Sequence, residues 1–207
     1  MLKVLGKSPS INVRKVLWVL EELGLACVQE QYGAGFASTS TGAFRAMNPN
    51  GLVPVLVDGD FVLWESNTIC RYLAAREGRV DLLPGAPGER ATVEQWMDWQ
   101  ATELNDAWRY PFMALVRRSP DHRDEAAIRS GIAEWNRHMR IVDEQLGRTG
   151  AFMTGGAFTL ADIVIGVSAN RWLMTPMERP ELPALQAYLE RLDRRPGFRM
   201  HARNGTP

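Results

Sequence analysis

Cysteine is almost absent from this chain: Cys27 and Cys70 are the only two among 207 residues. They stand far apart, so no CxxC pair exists, and thioredoxin-style dithiol exchange is excluded along with zinc sites built from paired cysteines. The three histidines, His122, His138 and His201, are scattered and complete no metal-ligand spacing, so no metal is expected. No run approaches the ~18 consecutive apolar residues of a membrane span. The first residues, Met1–Gly6, lack secretory architecture. An excess of either charge is also missing, because 24 basic residues face 24 acidic ones. The longest basic clusters are the pairs Arg117-Arg118 and Arg194-Arg195. A nucleic-acid binder carries a basic excess or stripe, so neither nucleic acid nor a membrane is an expected partner. A reducing cytoplasm is the expected location.

What is present is globular in composition, with 45% hydrophobic and 23% charged residues. The length suits two domains better than one. Glycine and proline collect between Gly78 and Gly88 and break the periodicity there. The chain is therefore read as residues 1–78, a linker at 79–88, and residues 89–207.

Short strand patterns alternate with helical ones in the first part. Leu2–Leu5 reads as a strand. Val13, Val16, Leu17, Leu20 and Leu23 share one helical face, with Asn12 suited to cap that helix and Gly24 to end it. Ala26–Tyr32 is a second strand, and Ala43–Met47 a short helix. Val53–Val57 and Phe61–Trp64 flank Asp58-Gly59-Asp60, a hairpin signal. Ser66–Arg76 is a third helix. This β-α-β-α-β-β-α order predicts an α/β domain built on a mixed four-stranded sheet. The second part reads as all-helical. A long helix runs from Glu89 to about Tyr110, where Pro111 is expected to kink or end it. Another spans Asp124–Leu146. Thr159 and Asp162 form a capping box, with Phe158 and Ile163 as its hydrophobic staple. The helix they open is mostly apolar through Trp172 and belongs at the centre of the domain. Pro183–Arg194 is the last helix, and Pro196–Pro207 is expected to be weakly structured.

Three local features carry chemistry. Ser10 and Asn12 stand at the mouth of the first helix, where unpaired N–H groups and about half a positive charge favour an anion such as a thiolate. Each side chain can donate a hydrogen bond to sulfur, and each is equally suited to capping. In Asn48-Pro49-Asn50-Gly51-Leu52-Val53-Pro54 the chain turns sharply into a strand. A cis Pro54 there leaves the Val53 backbone free for an extended peptide, and a trans proline makes a plain turn. Glu65 and Ser66 open the third helix. Ser66 with the first amides suits a carboxylate, and Glu65 suits an ammonium group, which together match an α-amino acid head.

These motifs at this spacing, Asn-Pro-x-Gly-x-Val-Pro followed by Glu-Ser-x-x-Ile, resemble the cytosolic glutathione transferases, and Thr159-Leu160-Ala161-Asp162 resembles the capping box of that family's second domain. The resemblance covers essentially the whole chain. The Ser10/Asn12 pair is similar to bacterial nu-like and theta-like members. The resemblance implies a thioredoxin-like domain followed by an all-helical one, glutathione as co-substrate, and a cytoplasmic homodimer acting in detoxification. It implies that Glu65 and Ser66 bind the γ-glutamyl head, that Val53, between Leu52 and Pro54, bonds the cysteinyl backbone, and that Ser10 or Asn12 holds the sulfur. Many members have glutamine where Leu52 stands, so one contact is lost here. The cysteine and tyrosine of other classes are absent near Ser10, and Arg45 is the one candidate for the glycine carboxylate. The reaction implied is transfer of the glutathione thiolate to a hydrophobic electrophile, with Trp108 and Phe112 as acceptor-pocket candidates. A glutathione-dependent disulfide reductase or isomerase on the same site, and a non-catalytic glutathione binder, are the alternatives.

Overall fold

The computed structural model describes all 207 residues. Strand β1 (Leu2–Leu5) buries Leu2, Val4 and Leu5 and pairs on both sides. It lies parallel to β2 (Cys27–Glu30), with Leu2 opposite Cys27, and antiparallel to β3 (Val55–Asp58), with Leu5 opposite Val55. β4 (Phe61–Trp64) completes the hairpin, giving the order β2-β1-β3-β4. The sheet is thus mixed and four-stranded, as the element order predicts. Helix α1 (Ile11–Leu23) crosses between β1 and β2, and Gly24 closes it in the left-handed region. The short α2 (Gly42–Met47) precedes β3, and α3 (Ser66–Arg76) follows β4 and packs on α1.

From Pro87 onward the chain is helical. α4 (Pro87–Trp99) runs through a π-helical turn, Gln100–Leu104, into α5 (Asn105–Leu115). Of the two expectations at Pro111, a kink or an end, the end does not occur, since α5 continues four residues beyond it. The irregularity falls earlier, at buried Gln100. Its Oε1 accepts Lys15 Nζ at 2.5 Å and its Nε2 donates to Asn105 Oδ1 at 2.9 Å. A tertiary bond thus coincides with the π turn, which local propensity does not reveal. α6 (Glu125–Thr149) is capped by the Asp124 carboxylate, which accepts Ala127 N–H at 2.9 Å. No helix is long and apolar enough to cross a membrane.

α7 (Leu160–Met174) is the buried axis of the second half, closed to solvent from Leu160 through Trp172. Its start is held by Asp162, whose carboxylate accepts the N–H of Thr159 and of Met153, each at 2.8 Å, and the Thr159 hydroxyl at 3.2 Å. α8 (Pro183–Leu192) follows. The chain end is not weakly structured as expected. Phe198–Ala202 forms a π turn, and Phe198 packs on Trp18 of α1 at 5.4 Å. Arg14 then ties the last residues down, donating to Thr206 O at 2.7 Å and Pro207 O at 3.2 Å. Asn170 Nδ2 holds Ala202 O from the other side at 2.7 Å.

The two halves share one apolar core. Leu2, Trp18 and Ile69 belong to the same buried cluster as Met97, Trp135 and Ile163. Polar ties cross the same boundary: Arg195 forks onto Glu22 at 2.6 and 3.0 Å, and Leu160 N–H donates to Leu82 O at 3.0 Å. A shared core fixes the relative placement of the halves more firmly than a polar domain contact does.

Candidate active site

The open end of the sheet gathers the three motifs. Gly6 leaves β1 at φ +153°, a value that side chains disfavour. A Cβ there would sit 2.5 Å from Val13 Cγ2 and 3.1 Å from Val53 Cβ. Glycine therefore lets the β1–α1 loop close onto Val53, which brings the head of α1 beside the turn into β3.

That turn is organised by the buried Asn48. Its Nδ2 donates to Leu52 O at 2.8 Å, and its Oδ1 accepts the backbone N–H of Asn50 at 3.0 Å. Gly51 supplies the left-handed residue, φ +64°. The Val53–Pro54 peptide bond is cis. Pro54 is buried, Val53 half-buried and Leu52 64% exposed. Val53 lies outside the ladder, and neither its N–H nor its C=O has a partner within the chain.

At the head of α1 the expected roles shift. Ser10, not Asn12, is the N-cap residue, at φ −75° and ψ 124°, and its hydroxyl makes no cap bond. Asn12 lies inside the first turn, and its side chain makes no cap bond. Its Oδ1 is enclosed without a partner, and its Nδ2 is likewise free of the chain's own acceptors. The first intrahelical bond belongs to Arg14 N–H, on Ser10 O at 3.0 Å. The amides ahead of it, from Ile11 to Val13, remain unpaired. Two side-chain donors and an amide-lined helix end therefore meet at one place.

The head of α3 is similar. Glu65 is its N-cap residue, exposed, at the positive φ of 74°. Such a backbone costs about 1–3 kcal/mol for a residue that is not glycine. Ser66 begins the helix and is buried at 6% exposure. Its neighbour Asn67 links the two helices: Oδ1 accepts Lys15 Nζ at 3.2 Å, and Nδ2 donates to Met97 O in α4. Sequence reasoning missed Lys15 and Asn67, because the apolar stripe of α1 marks one face and Lys15 falls outside it.

Residues 1–75 match the family described as glutathione S-transferase, N-terminal domain, and residues 122–191 its C-terminal domain. The chain belongs to the glutathione transferase family. It is an enzyme of that type. Similar curated proteins include glutathione S-transferase GstB of Escherichia coli strain K12, 39% identical over 201 residues and 96% of each chain. Glutathione S-transferase 3 of Zea mays is 34% identical over 215 residues, covering 95% of this chain and 91% of the relative. Among solved structures, the theta class glutathione S-transferase of Xanthomonas axonopodis pv. citri, with glutathione bound, superposes with a TM-score of 0.92 at 39% identity. That match covers 100% of this chain and 99% of the other.

The two acceptor-pocket candidates lie on α5. Trp108 is half-buried and donates from Nε1 to Asn105 Oδ1 at 2.9 Å. Phe112 is 3% exposed, a core residue in contact edge-on with Trp108 at 5.4 Å. Both carry Arg171 of α7 on their faces, at 4.4 and 4.1 Å. Arg45, on the last turn of α2, is exposed and in no ion pair, close to Gly51. A groove of about 590 Å³ lies elsewhere, between the end of α7 and α8 beside Trp172, Leu182 and Leu189. It includes none of these residues.

Proposed function

We propose that this enzyme binds glutathione across the β3 turn and the heads of α1 and α3, and transfers its thiolate to a hydrophobic electrophile. Residues 1–78 supply the glutathione groove, 79–88 connect, and 89–207 supply the acceptor side. The γ-glutamyl carboxylate sits on Ser66 and the first α3 amides, and its ammonium group faces Glu65. The unpaired Val53 N–H and C=O take the cysteinyl backbone as an added strand would. The thiol proton leaves to solvent, and the sulfur then forms its bond to carbon as the leaving group departs with its electron pair. Two free cysteines and the absence of a spanning helix accord with a cytoplasmic enzyme. Family members pair, so a homodimer is expected, and a single-chain mass in sedimentation at micromolar protein would refute it.

The observation that carries the reading is the unused Ser10 hydroxyl and Asn12 amide at the unpaired amides of α1. Donors and a helix end favour only the ionised sulfur, so bound glutathione is expected to ionise at lower pH than free glutathione. One charge-assisted bond contributes about 1.5–3 kcal/mol, and at 1.36 kcal/mol per pH unit that is roughly one to two pH units. The ultraviolet thiolate absorbance of the complex is titrated against pH. Ser10→Ala and Asn12→Ala should each move the curve upward, and the double variant furthest. Curves that stay in place would leave both residues as structural parts of α1 and end the sulfur assignment. An aryl halide and hydroxyethyl disulfide, assayed with glutathione, separate transfer from disulfide reduction, and binding without either turnover leaves a non-catalytic binder.

A further inference from the structure

Arg171 is the one guanidinium of the core that the chain leaves without an acceptor. It is 3% exposed, and its Nε is enclosed with no hydrogen-bond partner. It has no ion pair. Arg14, the other buried arginine, also has an unpaired Nε, but its terminal nitrogens donate to the carbonyls of the chain end. Arg171 has only the faces of Trp108 and Phe112, at 4.4 and 4.1 Å. Ring faces attract the charge but accept none of the five N–H groups in the way oxygen does.

Its electrostatic surroundings make the deficit larger. Burial above all, and then the positive charges of Arg14 and Arg117, hold the Arg171 pKa well below the ordinary arginine value. Arg171 in turn acts on Lys15 as a like charge. Arg117 lies over Phe112, 5.4 Å from the ring centre. Two guanidiniums, Arg171 and Arg117, therefore lie over the same aromatic pair, Arg14 is a further positive charge acting on Arg171, and no carboxylate pairs with Arg171. A buried charge without a counter-charge is strongly unfavourable, and Arg171 has only the ring faces to offset it.

The place is the right one for an acceptor. Arg14 lies in α1 one helical turn after Ser10, its backbone N–H on the Ser10 carbonyl at 3.0 Å, and its charge acts on Arg171, while Trp108 stands half-buried on α5. The cluster thus includes a residue of α1 one turn from the Ser10 cap.

We propose that the acceptor substrate carries a carboxylate in addition to its electrophilic carbon, and that the Arg171 guanidinium, stacked on Trp108 and Phe112, receives it. This rests on the glutathione reading above. The planar fork of arginine matches two carboxylate oxygens, and the half-buried Trp108 offers apolar contact to the rest of the same molecule. Specificity follows from the unpaired state, because a neutral acceptor leaves the buried cation uncompensated.

Equilibrium binding of reaction products tests this without requiring turnover. Calorimetry at pH 7 compares unmodified glutathione, S-(4-carboxy-2-nitrophenyl)glutathione and S-(4-carbamoyl-2-nitrophenyl)glutathione. The conjugates differ only in one carboxylate replaced by a carboxamide. A fully desolvated charge-assisted pair corresponds to a preference on the order of ten- to a hundredfold for the carboxylate. In Arg171→Met the ratio should fall toward one while the carboxamide conjugate still binds. A wild-type ratio near one, or in favour of the carboxamide, overturns the proposal, and that comparison decides even if the variant does not fold. A ratio that survives in Arg171→Met, or an equal loss for both conjugates, overturns the assignment to Arg171. Failure of unmodified glutathione to bind strikes the underlying reading instead.

Discussion

Lys15 gives the sharpest test of how the two halves are joined. Its ammonium is 1% exposed and donates to two neutral oxygens, Asn67 Oδ1 at 3.2 Å and Gln100 Oε1 at 2.5 Å. Burial, assisted by the like charge of Arg171, brings its pKa from 10.5 down to about 7. At 1.36 kcal/mol per pH unit, that displacement corresponds to about 5 kcal/mol. The sign follows from linkage. Between pH 7 and 10.5 the unfolded chain holds a proton on Lys15 that the folded chain has released, so stability rises with pH through this window. The cost is present in full below pH 7 and disappears above 10.5. In Lys15→Met the two neutral acceptors lose their donor, a loss independent of pH, while the titration vanishes. The stability of the native sequence minus that of Lys15→Met should therefore increase by about 3 kcal/mol between pH 7 and 9.5. Urea unfolding at several pH values, with m held in common, measures the difference and cancels every group the two proteins share. A difference that stays flat across that range would show that Lys15 titrates as an exposed lysine does, and would refute the buried linkage.

Other expectations concern single side chains. Asp162→Ala removes the acceptor of two buried backbone N–H groups, Met153 and Thr159, each at 2.8 Å. At about 1–3 kcal/mol per stranded donor, the loss is about 2–6 kcal/mol, read as a lowered urea midpoint. A loss below 1 kcal/mol would mean that the start of α7 is held by packing alone. Glu65→Ala should raise the dissociation constant for glutathione by at least roughly tenfold, because it strands the ligand's ammonium group. Unchanged affinity by calorimetry would remove Glu65 from the site.

Local signals carried much of this protein. Two periodicities, a glycine-rich hairpin turn and a capping box are written in short stretches, so the strand and helix order, the mixed sheet and the apolar axis at α7 follow from the residues themselves. The Pro54 and Glu65-Ser66 motifs are equally local, and the family was readable from them. The structure corrected what depends on distant neighbours. Asn12 has the chemistry of a cap, yet the helix begins one residue earlier, which turns its amide into an uncommitted group. Pro111 is tolerated inside α5, and the break falls at Gln100, where a lysine from α1 reaches across. The last residues carry few structure-forming signals of their own, and Phe198 and Arg14 dock them. Amphipathic spacing marks the face a helix buries against its own sheet. It cannot mark a second face that becomes buried when another domain covers it, so no local signal in α1 announces that Arg14 and Lys15 are enclosed, and none in α7 shows what surrounds Arg171. Their enclosure, with acceptors for two of them and none for the third, was decided by tertiary packing alone.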